Sequence, residues 1–161
     1  MRRDDPTRNP ELSGYSFWPM GEADRVDYER LVSRLLPDIG IGHSRPLHGI
    51  KAIDPDGSVC AAIRTTARRF DANVILFVEA LAVSESRRGR NIGGGLLYLL
   101  DSAAPRECRW AAGSCKPVMR GYYRDHGFTV GDPGRPLLLP DFELASLDSV
   151  YSCWFARRLH P

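Results

Sequence analysis

The residues best placed to do chemistry lie in one run, Leu81-Ala82-Val83-Ser84-Glu85-Ser86-Arg87-Arg88-Gly89-Arg90-Asn91-Ile92-Gly93-Gly94-Gly95-Leu96-Leu97. An apolar segment of strand type passes into a polar, arginine-rich loop, and glycines stand where an apolar helix begins. The first N–H groups of a helix have no acceptor within it, and the helix dipole adds positive character at the same point. Glycine permits close approach to the backbone and supplies positive φ. Arg87, Arg88 and Arg90 add charged donors suited to phosphate oxygens. Such a loop is a site for a diphosphate.

Two familiar nucleotide motifs do not fit it. The dinucleotide fingerprint G-x-G-x-x-G fails because Asn91 stands two residues after Gly89. Gly89 and Gly94 have P-loop spacing, but Gly95-Leu96 follows where Lys and Ser/Thr are needed.

Upstream, Glu79 is the one charged residue in the apolar run Val74 to Val83. A carboxylate there is costly unless it faces a polar cleft or a partner. It shares strand parity with Leu81 and Val83, so the three side chains point to one face. Glu79 is therefore a candidate base or substrate contact, with a structural carboxylate as the alternative. Cys115 and His126 invite a covalent reading, but no Cys–His–Asp pattern supports it and a packed thiol is expected. His43 and His48 fall in a loop and are either substrate contacts or plain loop residues.

The elements that must position these groups follow from periodicity. Tyr15 to Met20 reads as a short strand. Tyr28, Leu31, Val32, Leu35 and Leu36 have helical spacing, with Asp24 as N-cap and Pro37 as terminator. Residues 37–48 read as a loop. Ile50 to Ile53 and Ser58 to Thr65 flank Asp54-Pro55-Asp56-Gly57, a hairpin turn. Val74 to Val83 is apolar on both parities, the pattern of a central strand covered on both faces. Ile92 to Ala104 is a helix closed by Pro105, Arg109 to Ala112 a short strand, and Pro117 to His126 a helix stopped by Gly127. Phe128 to Val130, Leu137 to Leu139 and Val150 to Leu159 supply the closing strands. The order β-α-β-β-β-α-β-α-β-β gives an α/β (α+β) mixed sheet flanked by helices. Residues 1–14 read as a flexible tail and 15–161 as one domain.

Composition agrees with a soluble globular chain: 161 residues, 43% apolar, 26% charged and a net charge of +2. That charge argues against general nucleic-acid binding, and Arg68-Arg69 and Arg157-Arg158 read as solvated surface. No run nears the roughly 20 apolar residues needed to span a bilayer, and the N-terminus has no secretory apolar core. The four cysteines form no C-x-x-C pair and the four histidines are scattered, so no metal site is expected. Free thiols point to a cytoplasmic location.

The segment Arg88-Gly89-Arg90-Asn91-Ile92-Gly93 resembles the central Arg/Gln-x-x-Gly-x-Gly/Ala motif of the GNAT superfamily of N-acetyltransferases. A second match is Tyr122-Tyr123-Arg124-Asp125-His126-Gly127-Phe128, which resembles that family's downstream Phe/Leu-Tyr-x-x-x-Gly-Phe helix end. The sequence departs from the pattern at Asn91, where glycine is usual, and at Lys116, where asparagine is common. Asn tolerates the left-handed conformation well, so the turn is expected to persist. The resemblance implies a sheet of six to seven strands, splayed between the fourth and fifth, with acetyl-CoA or another acyl-CoA in the cleft as co-substrate.

It further implies that the backbone of Leu81, Ala82 and Val83 pairs with the pantetheine arm. Arg88, Gly89, Arg90, Asn91, Ile92, Gly93 and Gly94 would hold the pyrophosphate, and Tyr123 would protonate the departing thiolate. Tyr122 is then the core residue of the pair. Acyl transfer to a primary amine by direct attack is the expected activity. The alternative is a catalytically inactive acyl-CoA-binding module acting as a sensor or partner-binding unit. The acceptor is a small-molecule or peptide amine, and a monomer or homodimer is expected. The 131–149 segment, with Asp132, Asp141, Glu143 and Asp148, either meets a cationic amine or is merely solvated.

Overall fold

The computed structural model describes residues 5–39, 45–70, 72–145 and 151–160. Its strands are β1 (Ser16–Met20), β2 (Gly49–Ile53), β3 (Val59–Phe70), β4 (Asn73–Val83), β5 (Cys108–Cys115), β6 (Thr129–Val130), β7 (Leu137–Leu138), β8 (Glu143–Leu144) and β9 (Cys153–Arg158). The helices are α1 (Arg25–Leu35), α2 (Ile92–Ala103) and α3 (Arg120–Asp125). Seven strands form one mixed sheet in the order β1-β2-β3-β4-β5-β9-β6, and β7 and β8 form a separate ribbon. β4 and β5 are parallel. A parallel pair needs a crossover, and α2 is the helix in that connection.

The chain divides into two compact units, one from the N-terminal part through Thr65 with Glu79–Ala103, the other from Thr66–Val78 and residues from Ala104 onward. The first has a core of Met20, Tyr28, Leu31, Val32, Leu47, Ala62 and Ala82. In α1, Tyr28, Leu31 and Val32 stand at i, i+3 and i+4, which puts them on one buried stripe. The second unit buries Ile75, Phe77, Trp110, Leu137, Leu144 and Trp154 together. Phe77 meets Trp154 edge to face at 6.2 Å, the arrangement that ring quadrupoles favour.

Several sequence expectations are corrected. Asp24 stands at the N-cap of α1 as expected, but its carboxylate accepts from the Gly21 N–H and pairs with Lys51 instead of capping α1. The helix expected over 117–126 is a 3-10 turn, Pro117–Met119, followed by α3, and Gly127 at φ +78° ends it. The fifth strand runs to Cys115 rather than Ala112, because it pairs with β9 as far as Cys115 opposite Cys153; Gly113 sits against the Phe155 ring, where a Cβ would clash. Of the tail, residues 5–14 include two 3-10 turns, and Leu12 is buried. β8 was not foreseen. Arg157, read as surface, is buried with its guanidinium 4.6 Å from the Phe128 ring centre. No helix among the described residues is long and apolar enough to cross a membrane.

The carboxyls of Glu22, Asp24 and Asp54 all lie below their ordinary range. Arg25 and the Leu47 N–H draw Glu22 down to about 2, Lys51 lowers Asp24, and the Ser58 N–H with Arg87 lowers Asp54. Such groups favour the folded state above the unfolded carboxylate range, and that contribution disappears as pH falls through the folded values. The thermal midpoint should therefore decline steadily as pH falls from about 5 toward about 2. Asp24→Asn should lower the midpoint at neutral pH and flatten the acid slope in calorimetry. A slope as steep as that of the unsubstituted protein would remove Asp24 as a contributor.

Candidate functional site

β4 changes character halfway along its length. Ile75, Leu76, Phe77 and Val78 are all buried, as expected for a strand covered on both faces. Its register with β5 runs to Val78 opposite Gly113. From Glu79 onward burial alternates: Ala80 and Ala82 are buried, whereas Glu79, Leu81 and Val83 are half-buried. The expectation of two-sided cover therefore holds only for the first half. The second half presents one face, and Glu79 leads it.

Glu79 is held by two arginines. The Arg64 Nε lies 3.1 Å from one carboxylate oxygen, and Arg64 is only 3% exposed. The Arg45 Nη1 lies 3.5 Å from the other, and Arg45 is 60% exposed. Arg64 also rests 5.7 Å from the Tyr28 ring centre, so it reaches Glu79 from inside the core. One oxygen of Glu79 thus faces a buried cation and the other an exposed one. Arg45 and Arg64 were missed in the sequence. Arg64 had the same signal as Glu79, a lone charge in the apolar run Cys60 to Thr65.

Beyond Val83 the chain makes a 3-10 turn, Glu85–Arg87, and then two left-handed residues, Gly89 at φ +80° and Asn91 at φ +58°. The expectation that Asn91 sustains the turn is met. α2 starts at once, and the Gly95 N–H donates to the Asn91 carbonyl at 3.0 Å, the first bond of the helix. The N–H groups of Ile92, Gly93 and Gly94 therefore precede any intrahelical acceptor. Three successive glycines cost the helix about 3 kcal/mol relative to alanine. Burying Ile92, Leu96, Leu97 and Leu100, none more than 1% exposed, contributes roughly 6–12 kcal/mol and outweighs that. Gly95 is explained by packing, since a Cβ there would lie 3.0 Å from the Phe17 ring. Gly93 and Gly94 are themselves buried and put main chain without side chains at the positive end of the dipole.

The loop arginines divide by role. Arg88 and Arg90 are exposed, and the Arg88 Nε donates to the Val83 carbonyl at 3.3 Å. Arg87 turns the other way and donates to Asp54 at 2.9 Å and Asp56 at 2.8 Å. The side chains of Ala82 and Ile92 are buried, so these residues offer main chain only.

In the second unit the two tyrosines exchange places relative to expectation. Tyr123 is the buried one, stacked on Phe155 at 3.9 Å and edge-on to Phe128 at 5.8 Å, while Tyr122 is half-buried. Burial, then Tyr122, Cys115 and Tyr151, push the Tyr123 phenol well above its ordinary value, and burial raises Tyr122 to about 12. Cys115 is raised to about 11 by burial, which opposes a thiolate nucleophile. The His126 Nδ1 is engaged with the Tyr122 carbonyl at 2.8 Å. Asp132 is exposed and pairs with Arg120, and Lys116 lies 5.4 Å from the Tyr151 ring centre. His48 is exposed; His43 and Asp148 lie outside the described residues.

No protein-family model matches the chain, and no curated protein matches its sequence. The likeness is three-dimensional. An aminoglycoside 6'-N-acetyltransferase complexed with coenzyme A superposes with TM-score 0.65 at 12% identity, over 91% of this chain and 98% of that one. The GNAT family N-acetyltransferase YhbS from Escherichia coli, in complex with CoA, gives TM-score 0.61 at 17% identity, over 89% and 81%. The GCN5-related glucosamine N-acetyltransferase region of a fungal multi-domain GH3 β-N-acetylglucosaminidase gives 0.58 at 15% identity, over 73% of this chain but 17% of that longer one. The chain has the GNAT fold.

The left-handed Asn91 makes a direct test of the turn. Asn91→Val should destabilise by about 1–2 kcal/mol in chemical denaturation, because a β-branched side chain clashes at this φ, and Asn91→Gly should cost less. Equal stabilities for the two variants would mean that the turn is not held as described.

Proposed function

We propose that this protein is an acyl-CoA-dependent N-acyltransferase that moves an acetyl or short acyl group to a primary amine by direct attack. The observation that carries the reading is the junction of one-faced β4 with an arginine-rich turn and a glycine-opened helix. Two structures of the same fold, both described as complexes with CoA or coenzyme A, support it. In the reaction the amine lone pair adds to the thioester carbonyl and the thiolate departs.

The main-chain N–H groups of Ile92, Gly93 and Gly94, with Gly89 and Asn91 shaping the turn, receive the diphosphate. Arg88 and Arg90 supply charge to it. The Arg88 bond to Val83 uses Nε and leaves the terminal nitrogens for phosphate oxygens. The main chain of Leu81, Ala82 and Val83 receives the pantetheine arm as an added strand. An N–H near Val83 aims at the thioester oxygen, where negative charge develops. An alkylamine with pKa near 10.4 arrives protonated and must lose a proton. Glu79 accepts a hydrogen bond from that amine or from a water relaying its proton, and Arg64 fixes the carboxylate in place. Tyr123 stays protonated throughout the working range and donates toward the leaving thiolate.

One observation favours a second reading, a CoA-binding module without turnover: Glu79 has two ion-pair partners and Tyr123 an aromatic stack, so each also has a structural task. Thiol release from acetyl-CoA over an amine panel, run beside ligand-induced thermal stabilisation, separates the two. Stabilisation without turnover on any amine selects the module; neither signal removes both readings. Arg88→Glu should weaken acetyl-CoA binding at least tenfold, about 1.4 kcal/mol, with little change in folding. Tyr123→Phe keeps the stack and should slow turnover at near-normal cofactor affinity. Turnover at the unsubstituted rate would end the proton-donor role.

A further inference from the structure

The sequence gives Arg87 the same reading as Arg88 and Arg90, a cation waiting for phosphate. The structure places it elsewhere. Its Nη2 donates to Asp54 at 2.9 Å and to Asp56 at 2.8 Å, both in the turn between β2 and β3. Asp54 is 8% exposed, and its two oxygens divide their work. Oδ1 accepts from the Asp56 N–H and the Ser58 N–H, each at 3.0 Å, and so closes the hairpin turn. Oδ2 faces Arg87 alone among these three. The same loop is pinned at its start, where the Ser84 N–H donates to the Cys60 carbonyl at 2.8 Å. The Arg34–Glu85 pair, at 3.8 Å and exposed on both sides, adds little.

We infer that Asp54 and Arg87 form a latch that sets the shape of the 84–91 loop, so that a carboxylate in the β2–β3 turn controls affinity for the diphosphate. Asp54 and Arg87 are positioning residues. Neither touches the ligand: Arg87 holds the turn from behind while Gly89, Asn91 and the start of α2 face the anion. The latch rests on the reading that this loop holds the diphosphate of an acyl-CoA. Its physical content is preorganisation, because a loop fixed before binding loses less conformational freedom on binding.

The division of labour at Asp54 makes a clean variant. Asp54→Asn keeps a carbonyl oxygen for the Asp56 and Ser58 amides, but turns the Arg87 acceptor into an NH2 donor. The two roles available to Arg87 then predict opposite signs. If Arg87 were a phosphate ligand held in reserve, Asp54→Asn would release it and CoA would bind as tightly or more tightly. As a latch, its loss should weaken CoA binding about tenfold, or about 1.4 kcal/mol, by titration calorimetry. Arg87→Gln should weaken binding to the same degree. The double variant should be no worse than either single one, since both remove the same interaction.

The ligand-free thermal midpoint of each variant is measured alongside. Should Asp54→Asn not fold, Arg87→Gln and Arg87→Lys carry the test. The lysine keeps the charge but is shorter than the arginine whose Nη2 reaches both Asp54 and Asp56, so it should behave as Gln does for a latch and nearly as Arg does for a phosphate contact. Unchanged or tighter CoA binding by Asp54→Asn, additive losses in the double variant, or full affinity in Arg87→Lys overturns the latch alone. An unsubstituted protein that binds no CoA overturns the parent reading, and the latch falls with it.

Discussion

The main-chain N–H groups of Ile92, Gly93 and Gly94 set the constraint around which the candidate site is arranged. A helix start cannot satisfy its own first donors, and here Asn91, the residue before them, adopts a left-handed conformation instead of the extended one typical of a cap. The α2 sequence then places glycines where alanine or leucine would give a more stable helix. This is affordable only because the rest of α2 is packed so thoroughly. A donor array that carries few side chains at the positive end of a dipole is costly as structure and useful for an anion.

Electrostatics around Glu79 follows a different logic from that of the loop. A carboxylate at 13% exposure needs compensation, and a buried guanidinium supplies it at short range. Arg64 in turn needs both Glu79 and the face of Tyr28. Removing Glu79 would take away the carboxylate 3.1 Å from a buried guanidinium in the first unit's core, so loss of stability and loss of activity would be entangled for any neutral, non-bonding substitution there. Arg45 stands outside that dependence.

Much of the fold was legible because its signals are local. The Asp54-Pro55-Asp56-Gly57 turn, the i, i+3, i+4 stripe of α1 and the apolar run of β4 each state their structure within a few residues. What escaped was set by partners distant in sequence. That β5 would run on to Cys115 depends on its pairing with β9, which lies some forty residues later. That Tyr123 and not Tyr122 would be buried depends on Phe128 and Phe155. In the site, the glycine-rich loop could be read directly, including the tolerance of Asn91 for positive φ. The sorting of three neighbouring arginines could not, since it turns on acidic groups some thirty residues earlier. Asp54 reads in sequence as turn chemistry, which it also performs.

All four cysteines are free and buried, with Cys60 in the first unit and Cys108, Cys115 and Cys153 in the second. Burial raises Cys60 and Cys115 to about 11, so at neutral pH these two thiols are both covered and protonated. An alkylating reagent will find them only when the backbone around them opens. The chain thus carries built-in reporters in each unit, and the rate at which each sulfur is labelled measures how often its own surroundings come apart.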